Sequence, residues 1–153
     1  MTATASPSFF LDSNIVIYAF DARDVAKRSR AIEILYRVAR NRTAVVSPQV
    51  LGETYIALTH RSRIAMPPDD AETAIRTVAR SLSVVGTTTD LVWDAVRISS
   101  RYQTYFWDAM LCATAKFHGV PTLLSEDFQD GQLIDGVRVV NPLLDSFDFD
   151  SLD

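Results

Sequence analysis

Short apolar runs and longer amphipathic stretches alternate along this chain. The run Phe9-Phe10-Leu11 is too short for a helix and ends at Asp12. Between Val25 and Asn41, apolar residues recur at helical spacing, which predicts an amphipathic helix. The same criteria predict further strands at 43–46, 83–85, 122–124 and 137–140, and further helices at 48–60, 69–80, 89–101 and 106–117.

Strands that are separated by helices need crossover connections, and these produce a mostly parallel sheet with helices on both faces. The predicted fold class is therefore α/β, although the pattern does not give the strand order. The length favours one domain over residues 1–153, with a core at about 8–141 and an acidic tail at 142–153. Residues 125–136 are polar and rich in turn formers, and we expect the terminus at 145–153 to fray.

Charge is distributed unevenly over the 153 residues, whose formal net charge is -4. Residues 1–63 sum to +4, residues 64–125 to -1 and residues 126–153 to -7. A protein that binds nucleic acid through bulk charge is basic overall, so any polyanion must be held here by a local patch or by metal ions. The chain has one cysteine, which excludes an internal disulfide and fits a reducing cytosol. We expect a cytoplasmic protein without a membrane span, because no apolar run is long enough and residues 1–8 lack signal-peptide features.

Four acidic residues fall at positions that suggest a common site. Asp12 and Asp127 follow predicted strands, Glu53 interrupts an apolar helix surface, and Asp108 lies in a first helical turn. Ligands of open α/β sheets bind at the carboxyl ends of the strands, and clustered carboxylates suit Mg²⁺ or Mn²⁺.

Each acid also has an ordinary structural role open to it. Asp12 and Asp108 are in position to cap helices, and Asp127 to form a turn. Glu53 has Arg61 and Arg63 as possible ion-pair partners.

Four segments around these acids resemble motifs of the PIN-domain ribonucleases, and particularly of the VapC-type toxins of toxin–antitoxin pairs. The matching segments, which lie between about residues 8 and 141, are FFLDSNIVIYAF, SPQVLGETYIAL, YFWDAMLCATA and TLLSEDFQDG. The resemblance implies a PIN-like three-layer α/β/α sandwich with a central, mostly parallel sheet. It also implies an acidic pocket that binds Mg²⁺ or Mn²⁺ and hydrolyses RNA.

Carried over by motif, the implied metal-binding and catalytic residues are Asp12, Glu53, Asp108 and Asp127. Asn14 and Ser125 match polar positions that support these acids, whereas Asp130 is either an extra ligand or, as we favour, a turn residue. The implied partners are a small VapB-like antitoxin and a second copy of the chain. Ile64, Met66 and Trp93 are candidates for an antitoxin groove, although core packing is the more common role of such residues.

Basic and aromatic residues supply candidate RNA contacts. The densest basic group lies at the start of the helix predicted between Val25 and Asn41 and comprises Arg23, Lys27, Arg28 and Arg30. Its alternative role is a solvated helix face balanced by neighbouring acids. Base stacking and core packing are about equally open to Tyr102, Tyr105 and Phe106.

A Cys–His nucleophilic mechanism has little support. Neither His60 nor His118 belongs to a triad pattern, and Cys112 lies on an apolar helix face, which predicts a core residue. The leading hypothesis is therefore a Mg²⁺- or Mn²⁺-dependent endoribonuclease that acts as a toxin. A non-catalytic RNA-binding module and a metal-dependent phosphatase remain the alternatives.

Overall fold

The computed structural model describes residues 6–60 and 64–153. In this part of the chain, strands and helices alternate as the apolar pattern predicts. The strands are β1 (Phe9–Leu11), β2 (Ala44–Val46), β3 (Ser83–Val84), β4 (Thr122–Leu124), β5 (Leu133–Ile134) and β6 (Val137–Val140). The helices are α1 (Ser13–Tyr18), α2 (Val25–Asn41), α3 (Pro48–His60), α4 (Pro68–Ser81), α5 (Thr89–Tyr102) and α6 (Phe106–Phe117), followed by a 3₁₀ helix at Phe149–Leu152.

The described strands form a sheet in the order β3-β2-β1-β4-β6-β5. The pairs from β3 to β6 are parallel, and only β5 runs antiparallel, as the partner of β6. From β1 the chain builds the sheet outward on one side through β2 and β3, and then on the other side through β4 and β6. The order therefore reverses between β1 and β4, and such a switch point opens a crevice at the carboxyl ends of the strands.

Burial along the strands shows that both faces of the sheet are covered. All three residues of β2 are buried, so side chains on opposite faces are equally shielded from solvent. Phe10, Leu11, Leu123 and Leu124 are fully buried in the central strands. This is the α/β sandwich that the sequence predicts, with helices packed on a mostly parallel sheet.

The hairpin of β5 and β6 lies in the segment that the sequence marks only as polar and turn-rich. Asp135 and Gly136 connect the two strands with positive φ angles of 49° and 91°. This backbone geometry suits a tight hairpin turn and favours glycine. β5 has only two residues, too few for a period-2 pattern, so sequence periodicity does not reveal it.

The expectation that residues 145–153 fray is wrong. Leu152 is fully buried, and Thr43 donates a hydrogen bond of 3.0 Å to its carbonyl oxygen. Arg37 of α2 contacts the carboxylates of Asp150 and Asp153 at 2.9 and 3.0 Å. The acidic tail therefore packs against a basic part of α2, because apolar burial and opposite charge act together.

No helix in residues 6–60 and 64–153 is long and apolar enough to cross a membrane.

Candidate metal centre

Asp12 occupies the switch point of the sheet. It directly follows β1, where its N–H donates to the carbonyl of Leu124 at 3.0 Å, and its side chain is only 2% exposed. Oδ1 accepts from the N–H of Ser13 at 2.6 Å, so Asp12 does cap α1. Oδ2 accepts from the hydroxyl of Ser125 at 2.6 Å. The capping role and the site role thus coexist, since each carboxylate oxygen has its own donor.

Ser125 connects the ends of the two central strands. Its hydroxyl donates to Asp12 and accepts from the N–H of Asp127 at 3.1 Å. Asn14 completes the connection, because its Nδ2 lies 3.3 Å from both Ser125 Oγ and Asp12 Oδ2. Asn14 and Ser125 thus both contact the Asp12 carboxylate, and their role in supporting the acids stays a prediction.

Three of the four predicted acids come together. Asp12, Asp108 and Asp127 each offer a carboxylate oxygen, and these oxygens lie within 4.8 Å of one another. Asp108 reaches the cluster from the first turn of α6, whereas Asp127 reaches it from the loop after β4. Residues about a hundred positions or more from Asp12 therefore converge with it at one edge of the sheet.

The electrostatics of the cluster are unfavourable without a cation. Burial, followed by the nearby Asp127 and Glu53 carboxylates, raises the pKa of Asp12 from 3.8 to about 7, against the opposing hydrogen bonds from Ser125 and Ser13. Burial and the same two carboxylates raise the pKa of Asp108 to about 6. Within residues 6–60 and 64–153, neither Asp12, Asp108 nor Asp127 has a Lys or Arg ion pair. A divalent cation would supply the missing positive charge.

The donor set fits a hard divalent ion. Carboxylate oxygens are the ligands that Mg²⁺ and Mn²⁺ prefer. Asn14 adds a second indication, because its Oδ1 is buried and has no hydrogen-bond partner in the described part of the chain. Buried polar atoms in proteins are nearly always satisfied, so this oxygen is suited to a water or ion-bound group at the site.

Glu53 lies at the edge of the cluster rather than in the group of three. Its Oε2 accepts from the hydroxyl of Ser13 at 2.8 Å, and its Oε1 accepts from the side chain of Gln49 at 2.8 Å. The alternative pairing with Arg61 or Arg63 lies outside the described residues. Sequence reasoning missed Ser13 and Gln49 as partners, although the i, i+4 spacing of Gln49 and Glu53 on α3 was available as a signal.

The basic group divides between two locations. Arg23 lines a polar cavity of about 380 Å³ together with Asn14 and Asp127, and its guanidinium pairs with Asp21. Lys27 contacts Glu126 at 2.9 Å, next to Asp127.

Arg28 and Arg30 point elsewhere. Arg28 donates to the carbonyl of Ala19 at 3.3 Å, and Arg30 donates to carbonyls of Pro142 and Leu144 in the C-terminal segment. The structure therefore brings Arg23 and Lys27 to the rim of the acidic site, and it places Arg30 against the tail.

An aromatic cavity of about 700 Å³ opens on the other side of the acids. It is lined by Tyr105 and Trp107 as well as by Glu53, Asp108 and Asp127. Sequence reasoning named Tyr105 but missed Trp107, whose position directly before Asp108 was the available signal.

Other candidates take ordinary structural places. Tyr102 and Phe106 pack against the core. Asp130 lies in a turn, and its side chain accepts from the N–H of Asn141, eleven positions away, at 2.8 Å. Cys112 is buried, and burial raises its pKa to about 12, so the predicted core role is confirmed.

The candidates for an antitoxin groove are more exposed than core residues. Trp93 is 64% exposed, and the core role favoured for it is therefore wrong. Ile64 and Met66 are partly buried.

Comparison with known proteins identifies the family. The PIN domain family model matches residues 9–129, which is most of the chain, and this protein therefore belongs to the PIN domain family. In a comparison with curated proteins, nothing matches.

Solved structures share the fold at low sequence identity. A protein in a toxin–antitoxin complex from Klebsiella pneumoniae has a TM-score of 0.65 and 22% identity, covering 88% of this chain and 98% of its own. VapC20 of Mycobacterium tuberculosis, described as a toxin that cleaves the sarcin–ricin loop, has a TM-score of 0.61 and 23% identity over 78% of this chain and 90% of its own. A DNA-bound VapBC from Salmonella typhimurium has a TM-score of 0.64 and 18% identity, covering 89% of this chain and 98% of its own. These similarities confirm the PIN-like α/β/α fold.

Proposed function

We propose that this protein is a Mg²⁺- or Mn²⁺-dependent endoribonuclease and the toxin of a toxin–antitoxin pair. The observation that carries the proposal is the cluster of Asp12, Asp108 and Asp127 at the switch point of a PIN fold. The toxin role is supported by the similarity in fold to the VapC and VapBC structures described above.

The three clustered acids would hold the ion. A bound Mg²⁺ or Mn²⁺ lowers the pKa of a water and offsets negative charge on the oxygens of the phosphodiester. Ser125 and the N–H of Ser13 orient the Asp12 carboxylate and favour its charged form. Glu53 adds negative charge from the edge of the site, and its direct binding to the ion stays a prediction.

The chain's own residues also arrange the substrate. Burial of Asp12 leaves a low-dielectric site in which charge interactions are stronger than in water. Arg23, on the rim beside Asn14, is the basic residue that we propose to contact the RNA backbone. A phosphatase of the haloacid-dehalogenase type has less support, because Asn14 stands two positions after Asp12, where that type has a proton-transferring acid.

Cleavage of RNA tests the proposal directly. We expect purified protein to cut single-stranded RNA with Mg²⁺ or Mn²⁺ and to stop when EDTA is added. Asp108→Asn is expected to lower the rate by at least about 100-fold, since even residues that only support metal ligands typically contribute 10- to 100-fold. Asp90→Asn is the matched control, because Asp90 is the acid in the first turn of α5 and lies outside the cluster.

Three results would contradict the proposal. Equal cleavage by the parent and Asp108→Asn would contradict the assignment of Asp108 to the metal site. Binding of RNA in EDTA without cleavage under any divalent ion would favour the non-catalytic alternative. Hydrolysis of para-nitrophenyl phosphate without action on RNA would favour the phosphatase.

We further propose a small antitoxin as partner, which the toxin–antitoxin complex of the Klebsiella neighbour supports. An apolar cavity of about 550 Å³ lies between α2 and α4 and is lined by Phe20, Tyr36 and Val78, among others. This cavity fits an apolar segment of a partner. Homodimerisation stays a prediction, and light scattering of the purified chain tests it.

A further inference from the structure

We propose that the cavity beside Asp108 receives an unpaired base of the RNA strand, stacked on Trp107 and Tyr105. This inference takes RNA as the ligand and so rests on the proposed function. It adds a specificity-determining surface for the nucleotide next to the cut.

The position of the two aromatic residues connects them to the chemistry. Tyr105 precedes α6 and Trp107 lies in its first turn, directly before Asp108. Both line the cavity that also contains the carboxylates of Glu53, Asp108 and Asp127. A nucleotide whose phosphate lies at the acids would therefore have its base within reach of these rings.

The exposure and support of Trp107 suit a stacking surface. Trp107 is 47% exposed and Tyr105 is 69% exposed, although the helix that they begin has buried central residues. Trp107 meets Phe106 edge to face, with ring centroids 5.1 Å apart, and Phe106 packs against the core. The side chain of Gln49 donates to the Trp107 carbonyl at 3.1 Å. Phe106 thus supports the indole and Gln49 holds the backbone of Trp107, while much of the residue stays accessible. This support reduces the entropy lost on binding.

The charge of the cavity selects a base over a phosphate. Among the described residues that line it, none is Lys or Arg, and three are carboxylates. The ion that Asp108 and Asp127 would hold attracts the phosphate to the acids. The aromatic end of the cavity has no described Lys or Arg to hold a second phosphate, whereas an uncharged aromatic base needs none. Stacking on aromatic side chains is a general means of binding single strands, and a base must be unpaired to enter.

Intrinsic fluorescence allows a direct test. The chain has two tryptophans, so Trp93→Phe leaves Trp107 as the sole indole, and Trp107→Phe leaves Trp93. Each variant is titrated with oligoadenylate of about 10 nucleotides, once in EDTA and once with Ca²⁺. We expect quenching in Trp93→Phe and no change in Trp107→Phe, because Trp93 does not line the cavity.

Affinity and cleavage give the size of the effect. Trp107→Ala and Tyr105→Ala are each expected to weaken oligoadenylate binding by roughly 5- to 150-fold, and Trp107→Phe to retain most of it. Trp93→Ala is the matched control, since it removes an indole from α5 that is even more exposed than Trp107, at 64% against 47%. Thermal unfolding of each variant shows whether it is folded.

Several outcomes would overturn the inference. An oligomer of abasic ribose phosphates that quenches Trp107 as strongly as oligoadenylate would show a backbone contact. Absence of quenching by oligoadenylate in both buffers would exclude a base at this site. Quenching that depends only on protein concentration would show that a second copy of the chain covers the cavity.

Failure of this inference is distinguishable from failure of the proposed function. If the parent cleaves RNA and Trp107→Ala keeps the same KM, kcat and pattern of cut sites, only the stacking surface is refuted. If the parent cleaves under no divalent ion while oligoadenylate still quenches Trp107, the base site stands and the nuclease proposal fails.

Discussion

Replacing Asp12 with Asn should stabilise the ion-free protein, and the gain should grow as the pH rises. Burial raises the pKa of the Asp12 carboxyl above its unfolded value of 3.8. The folded state therefore holds this proton more tightly than the unfolded state. By linkage, the parent loses stability as the pH rises from about 4 through about 7, and an uncharged Asn does not.

The raised pKa of Asp12 sets the size of the effect. A rise from 3.8 to about 7 corresponds to about 4 kcal/mol, because each pKa unit is worth about 1.4 kcal/mol. Part of this loss is already present at pH 4.5, so about 3 kcal/mol should appear between about pH 4.5 and about pH 8. For a chain of this length, that corresponds to a relative shift of about 6–12 °C in Tm. The Asp12→Asn substitution also disturbs the hydrogen bond that Asn14 donates to Asp12. The stability lost in this way does not vary with pH in the same range.

Urea unfolding in EDTA, followed by circular dichroism, measures the difference between parent and Asp12→Asn at each pH. Asp69→Asn is the control, because Asp69 is an exposed acid in the first turn of α4. Its difference from the parent should stay flat. Adding Mn²⁺ at about pH 8 should restore stability to the parent and not to Asp12→Asn, since ligand binding to the folded state alone is stabilising.

Parallel stability curves for the parent and Asp12→Asn between about pH 4.5 and about pH 8 would refute the reasoning. They would show that the Asp12 carboxylate is not held in an unfavourable environment.

Two further variants test other contacts. Leu152→Ala should lower the free energy of unfolding in urea by about 2–5 kcal/mol, because Leu152 is fully buried. Leu144→Ala, at a 40% exposed position, should have a much smaller effect. Equal effects would mean that the C-terminal segment does not pack against the core. Ser125→Ala removes the hydrogen bond that lowers the pKa of Asp12, so the acidic limb of the pH–rate profile for RNA cleavage should move to higher pH. If the limb does not move, ionisation of Asp12 does not determine it.

Much of the fold was predictable because local pattern determines it. The helix at Val25–Asn41 and the strand at Thr122–Leu124 occur with the predicted boundaries, since periodicity and capping signals lie in adjacent residues. The two-residue β5 was not predictable in this way. Its strand conformation comes from pairing with β6, a contact that no local pattern encodes.

The candidate site was predictable in composition but not in geometry. Asp12, Asp108 and Asp127 were identified by their places after strands and in a helical turn. Their approach to within 4.8 Å depends on β1 and β4 being neighbours, which the sheet order decides. The role of Ser13 as a bridge between Asp12 and Glu53 likewise requires α1 and α3 to be in contact.

Residue type and spacing along the chain predicted the alternation of elements and the four candidate acids, and the resemblance of their segments to PIN-domain motifs predicted the PIN-like class. Which of these acids meet, and which basic side chains lie near them, depends on the tertiary structure. It turned Arg30 toward the C-terminal segment and left Trp107 exposed beside Asp108. The physical reason is that charge, burial and exposure are properties of surroundings, and surroundings are assembled from residues far apart in the chain.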